Sequence, residues 1–309
     1  MISLLSRLEF LAIHVIPILV TAIIVANVLN ELGIIERISW IIKPVVSFAN
    51  LSPESGLAVI TYIASGNAGS AMLSSFYEQE IIGERETIIA SFVSSFFSFL
   101  NHLFVYFIPV VIPLLGIKAG LLYISARMFI SLCVTLTAIL AGHFLLKNKN
   151  YEKSNYKKAK KEMKDFKIGV REGIKKAFRV LKKIIPRLVF VYTVVTILME
   201  YNVLKPLENF KILGLPGQVS AIVAAGIADT TSGFAAAGSM LASNAITPIQ
   251  AVAALLLTSI ISMSVIFVRH SLPGRIAYFG FKLGVKIAVI SSILNILYTA
   301  IVLLVLLHW

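Results

Sequence analysis

Asp229, Thr230, Thr231 and Ser232 stand together in a run, Pro216 to Ile246, that holds no other charge. A carboxylate beside two threonine hydroxyls and a serine is a set of hard oxygen ligands, suited to Na+, or to a proton shared with a polar solute. At the centre of a bilayer such a carboxylate costs roughly 3 kcal/mol unless it is paired or hydrated. The same residues also suit a plainer task, because Asp, Thr or Ser just before Gly233-Phe234-Ala235 caps a helix start. A second interruption, Ser65-Gly66-Asn67-Ala68-Gly69-Ser70, breaks the apolar run from Leu57 to Phe76. Here Ser65, Asn67 and Ser70 offer hydroxyl and amide groups to a solute, and half-helices starting near Ser70 and Gly233 would add unpaired backbone N–H groups. Their small neighbours serve close helix packing equally well. Ser94, Ser95 and Ser98 recur 164 residues later as Thr258, Ser259 and Ser262, and Asn101 and His102 extend this hydroxyl stripe in the first half. Such a stripe either lines a cavity or bonds back to its own helix. Arg127 and Lys286 lie two turns or more inside apolar runs, from which either reaches the membrane surface, and Arg127 alone is a candidate to pair with a solute. No Gly-x-Ser-x-Gly or His-Glu-x-x-His pattern is present, so no enzyme is expected. Cys133, the only cysteine, allows neither an intrachain disulfide nor a cysteine metal site.

Composition places these residues in a membrane. Of 309 residues 58% are hydrophobic and 14% charged, with mean hydropathy +0.90, whereas a soluble domain carries about a quarter charged residues. The net charge of +13 is local, since 16 of the 28 Lys and Arg fall between Lys147 and Arg187 beside four acids. That is the positive-inside signal of one cytoplasmic loop, and nucleic acid is not an expected partner. Phe166, Val170, Ile174, Phe178 and Leu181 recur at helical spacing among these lysines. They read as a basic amphipathic helix on the anionic leaflet or as a tether between two halves.

Pro109, Ile112, Gly116, Lys118 and Gly120 reappear 164 residues later as Pro273, Ile276, Gly280, Lys282 and Gly284, so the chain is an internal duplication. The apolar run Phe10 to Val28, read as a retained span rather than a leader, returns as Ile184 to Leu204. Glu31 to Asn50 has the amphipathic pattern of an interfacial helix. Pairing Pro53 with Pro216 sets Gly66 opposite Asp229. The expected organisation is a first repeat over 1–146, a basic linker over 147–183 and a second repeat over 184–309. Each interrupted segment is long enough for one span or for two half-helices that enter and leave on one side. Only the second choice puts the basic loop, Arg269 to Arg275, Arg37 and Lys43 all on the cytoplasmic side. Each half then has three spans, an odd number, so the halves are inverted and both termini lie outside. The expected fold is an all-α polytopic membrane protein of two inverted repeats, each with three transmembrane helices, an interfacial helix and a re-entrant hairpin. The hairpin tips meet near mid-membrane.

This order of segments, with the tips Ser65-Gly66-Asn67-Ala68-Gly69-Ser70 and Ala228-Asp229-Thr230-Thr231-Ser232-Gly233, resembles the nucleoside-recognition or Gate domain family. That family occurs in concentrative nucleoside transporters, in the membrane part of ferrous iron transport protein B, and in stand-alone archaeal and bacterial proteins. The resemblance implies a cell-membrane secondary transporter of a small polar or anionic solute. Neither hairpin carries the Gly-Gln-x-Glu-like motif that nucleoside transporters use. No Gly-x-x-x-x-Gly-Lys-Ser/Thr loop is present, so GTPase-linked iron transport is not implied. A scaffold or assembly factor, or a lipid-phosphate flippase, is the alternative. Expected partners are the lipid bilayer and a small solute, with a second copy of the chain left open. No cofactor is expected beyond a coupling ion, Na+ or H+.

Overall fold

A computed structural model describes residues 42–146, 166–200, 217–267 and 271–308, with isolated positions between 9 and 28. Most of the first apolar run and of the interfacial stretch, the loop 147–165, and Arg269 and His270 lie outside the described residues, as does the side chain of Asn67. Every regular element among the described residues is a helix. Two helical runs there, Glu84–Leu145 and Arg275–His308, are long and apolar enough to cross a membrane.

Short helix α1 (Ile42–Phe48) leads into α2 (Pro53–Ala64). Proline at the first helical position and the Ser52 hydroxyl, which accepts from the Ser55 N–H at 3.3 Å, start α2. The buried carboxylate of Glu86 completes this start, accepting from the Ser52 N–H and the Ser55 hydroxyl, each at 2.8 Å. Glu84 pairs with Lys286 at 2.5 Å. Two acids of the turn before the long span are therefore structural partners, and Lys286 is tied across the two halves.

Helix α3 (Gly66–Glu78) follows α2 after one extended residue, Ser65. The chain folds back there: the Thr61 hydroxyl reaches Met72 Sδ at 3.6 Å, although eleven residues of straight helix would hold them about 16 Å apart. Helix α4 (Glu84–His102) continues through a π-helical stretch, Leu103–Val111 with Pro109 inside, into α5 (Ile112–Leu145). Within α5, Gly116 has φ 75° and ψ 168°, a region that only glycine enters readily. The chain reverses at this residue, and Gly120 packs on Ile112.

The second half repeats these events. Helix α6 (Phe166–Glu200) runs without interruption through the expected boundary at 183/184. Helices α7 (Val219–Ala228) and α8 (Thr230–Ala242) are separated by the extended Asp229. Then come α9 (Pro248–Ile266) and α10 (Leu272–His308), the latter reversing at Gly280 with φ 71° and ψ 174°. Even the helix ends correspond: left-handed Glu80 and Asn244 close α3 and α8 with the same pair of backbone bonds, Ile81 N–H to Phe76 and Ala245 N–H to Met240.

The halves exchange contacts. The Ser74 hydroxyl donates to the Tyr278 carbonyl, and 164 residues away in each partner, Gly238 lies against the Leu114 carbonyl. Likewise Leu115, Ala119 and Tyr123 enter the core formed by α7, α8 and α9, while Phe279, Leu283 and Ile287 enter that of α2, α3 and α4. Reciprocal contacts of this kind are what a two-fold relation produces.

The buried face of α6 is Gly169, Gly173, Ala177 and Leu181, whereas Ile174 and Phe178 are exposed. Small residues let backbones approach, and Gly173 rests on Val28.

Candidate functional site

Each break is one residue long, shorter than the six-residue interruptions in the sequence. Ser65 has φ −161° and ψ 121°, and Asp229 φ −159° and ψ 134°. The break residues are thus 164 apart, and Ser65, not Gly66, stands where Asp229 stands. The alignment on Pro53 and Pro216 had slipped by one residue. The half-helices accordingly begin at Gly66 and Thr230, not near Ser70 and Gly233. Backbone bonding survives both reversals. Ser65 N–H donates to Thr61 and its carbonyl accepts from Gly69, both at 2.9 Å; Asp229 N–H donates to Ala225 and its carbonyl accepts from Gly233, both at 3.1 Å.

Side chains then distinguish the tips. Asp229 Oδ2 accepts from the Ser232 N–H at 3.1 Å and the Ser232 hydroxyl at 3.3 Å, so the carboxylate caps α8. Thr230 is exposed, while the Thr231 hydroxyl faces the Tyr106 hydroxyl at 3.4 Å. At the first tip Gly66 packs on Ser98 Oγ, and Asn101 donates to the Ile63 carbonyl at 2.8 Å, satisfying the end of α2. Asn67 lies in the first turn of α3. Ser70 is buried deeper and shares a 2.8 Å hydrogen bond with Tyr62. Ser262, the counterpart of Ser98, is buried on α9. His102 is exposed, and its Nδ1 donates to the Ser98 carbonyl at 2.9 Å. Ser94, Thr258 and Ser259 donate to carbonyls three or four residues back on their own helices. This is back-bonding, the plainer of the two roles open to the stripe.

Both tips rest on one helix, Ser98 meeting the first and Tyr106 the second. Eight residues separate these contacts, roughly 12 Å of helix, and the π-helical stretch opens between them. Such stretches recur at functional sites. An aromatic group that sequence reasoning missed surrounds the second tip. Tyr123 meets Phe234 edge-on with centroids 5.1 Å apart, and Tyr106 and Phe107 close the group at 6.5 Å from Phe234 and 6.2 Å from Tyr123. One signal was present: the stripe of Ser98 and His102 continues at the same spacing to Tyr106.

The sequence pattern of the Gate family, described as nucleoside recognition, matches residues 12–118. A relative from Methanocaldococcus jannaschii is 30% identical over 296 residues, which is 92% of this chain and 91% of the relative. The chain belongs to the Gate family. Two further M. jannaschii proteins are each 26% identical, one over 294 residues (92% of this chain, 93% of the relative) and one over 293 (93% and 90%). All three are named only as uncharacterized proteins. No solved structure matches the chain. The Gate match ends at Lys118, just past the Gly116 reversal, and so contains the first break and the helix on which both tips rest.

Proposed function

We propose that the chain is a secondary transporter whose solute, small and polar or anionic, binds at the tips of two re-entrant hairpins. The observation that carries this reading is the pair of single-residue breaks, Ser65 and Asp229, beside which Gly66 and Thr231 meet one helix at Ser98 and at Tyr106. Broken helices in matching places of two halves form transporter sites because their exposed ends and polar side chains need a cavity, not lipid. The reciprocal contacts of Ser74 with Tyr278 and Gly238 with Leu114 support two halves related by a two-fold axis. With three spans in each half, that axis lies in the membrane plane, six spans cross, and both termini are outside. Residues 1–146 and 184–309 are then the two repeats, joined by a basic cytoplasmic segment.

In this reading Asp229, Thr230, Thr231 and Ser232 hold the coupling ion, Na+ or H+. Ser65, Asn67 and Ser70 at the first tip, with Ser98, Asn101 and Ser262 on the flanking helices, are the residues assigned to the solute. His102, exposed and bonded back to its own helix, is assigned no role here. A Cys at Ser271 and one at Lys158 in the purified, reconstituted protein test the topology: both should be labelled from the cytoplasmic side only. Labelling of the first from outside alone would make the hairpins full spans. Uptake or exchange in proteoliposomes tests transport, and inactivity toward nucleosides, metal ions and lipid phosphates alike would favour a scaffold.

A further inference from the structure

Among the described residues, the buried side-chain nitrogen and oxygen atoms without a hydrogen-bond partner are Arg127 Nη1, Ser131 Oγ and Thr299 Oγ1. Two of these sit one turn apart on α5, on the face that also carries Tyr123. A buried guanidinium nitrogen with nothing to bind is costly in any protein, and more so in a membrane one.

Height along the bundle can be read from the reversal at Gly116. Gly120 lies opposite Ile112, so residues equally far from 116 stand at about the same level. Arg127 is then level with Val105, the neighbour of Tyr106, whose hydroxyl meets Thr231 at the second tip. Ser131 is level with Asn101, which holds Ile63 at the first. The contact of Tyr123 with Phe234 agrees: one turn beyond Tyr123 is Arg127, and one turn toward the tip from Phe234 is Thr230.

We infer that Arg127 and Ser131 form the recess for an oxyanion, a carboxylate or phosphate group, held between the two hairpin tips. The guanidinium presents paired donors that match two oxygens of such a group, and the serine hydroxyl supplies a third donor one turn away. This deepens the transporter reading and rests on it, because it names the group by which the solute is held. It also gives both unpartnered atoms their function: each is satisfied only when the solute is bound.

The thermal-unfolding midpoint of the protein in phosphatidylcholine nanodiscs tests the inference. Inorganic phosphate and acetate are titrated against chloride at matched ionic strength, and phosphatidic acid is added to the disc lipid in a separate arm. The wild type should rise saturably with at least one of the three probes. Response to the soluble anions assigns a solute; response to phosphatidic acid alone assigns a lipid phosphate. Arg127→Gln should lose the response and melt, anion-free, no lower than the wild type, because it removes a half-buried guanidinium whose buried Nη1 has no partner. Ser131→Ala should fold as the wild type and bind about tenfold more weakly. No response in the wild type, or an unchanged response in either variant, overturns the site. So does an Arg127→Gln protein that fails to fold without anion, since the guanidinium would then be a structural group. Anion binding without uptake in proteoliposomes would remove the transporter reading and leave this site, whereas uptake indifferent to Arg127→Gln would do the reverse.

Discussion

Ser65 and Asp229 occupy one backbone position in the two halves, with torsions of −161°/121° and −159°/134°. Both keep their backbone bonds across the reversal. The first half makes the turn with a neutral serine, so the turn itself does not require a carboxylate. What separates the halves is therefore not architecture but charge, and the acid has to be explained by something other than folding back. The exchanged contacts show the same likeness with a difference. At Ser74 a hydroxyl fits against the Tyr278 carbonyl, whereas Gly238 approaches the Leu114 carbonyl so closely that an added Cβ has no room.

That difference gives the largest expected effect. Gly238→Ala should destabilise by about 3 kcal/mol, since backbone on both sides must shift, while Ser74→Ala should lose one hydrogen bond, about 1 kcal/mol. Chemical denaturation in detergent micelles measures both, and equal costs would mean that the two contacts are equally spaced. Next in size are Gly116→Ala and Gly280→Ala. No side chain crowds either position, so the cost, about 2 kcal/mol each, is torsional strain alone and should be the same in both halves. Unequal values would break the equivalence of the two reversals.

These glycines were legible in the sequence because the repeat of Pro109, Gly116 and Gly120 at 273, 280 and 284 marks the turn twice. The breaks were legible too, as polar residues in apolar runs, but their length was not. A single extended residue suffices when the bonds on both sides survive, so Asn67 to Ser70 and Thr230 to Gly233 are the first turns of helices. Tyr106 and Tyr123 were hidden because an aromatic residue in an apolar span reads as ordinary core. On helix α6 the sequence pattern marks Ile174 and Phe178, which are exposed, but not the small residues Gly169, Gly173 and Ala177, which are buried.

A smaller effect lies at the helix ends, where Glu80 and Asn244 share a left-handed conformation. Asparagine tolerates it better than glutamate, so Glu80→Asn should stabilise by about 0.5 kcal/mol and Asn244→Glu should destabilise by a similar amount. The midpoints of denaturation check both signs, and a loss of stability in Glu80→Asn would mean that the glutamate has a partner worth more than the strain.

The smallest effect on folding, and the most telling for function, belongs to Asp229→Asn. Asparagine caps a helix as well as aspartate does, so the ligand-free thermal midpoints of variant and wild type should agree within about 0.5 kcal/mol of stability. Titrating both proteins with Na+ at fixed ionic strength, and repeating the titration across pH, then isolates the charge. The account predicts that the wild-type midpoint responds to Na+ or to protons and that Asp229→Asn loses the response while remaining folded; superimposable curves would contradict it and leave the carboxylate a cap and nothing more.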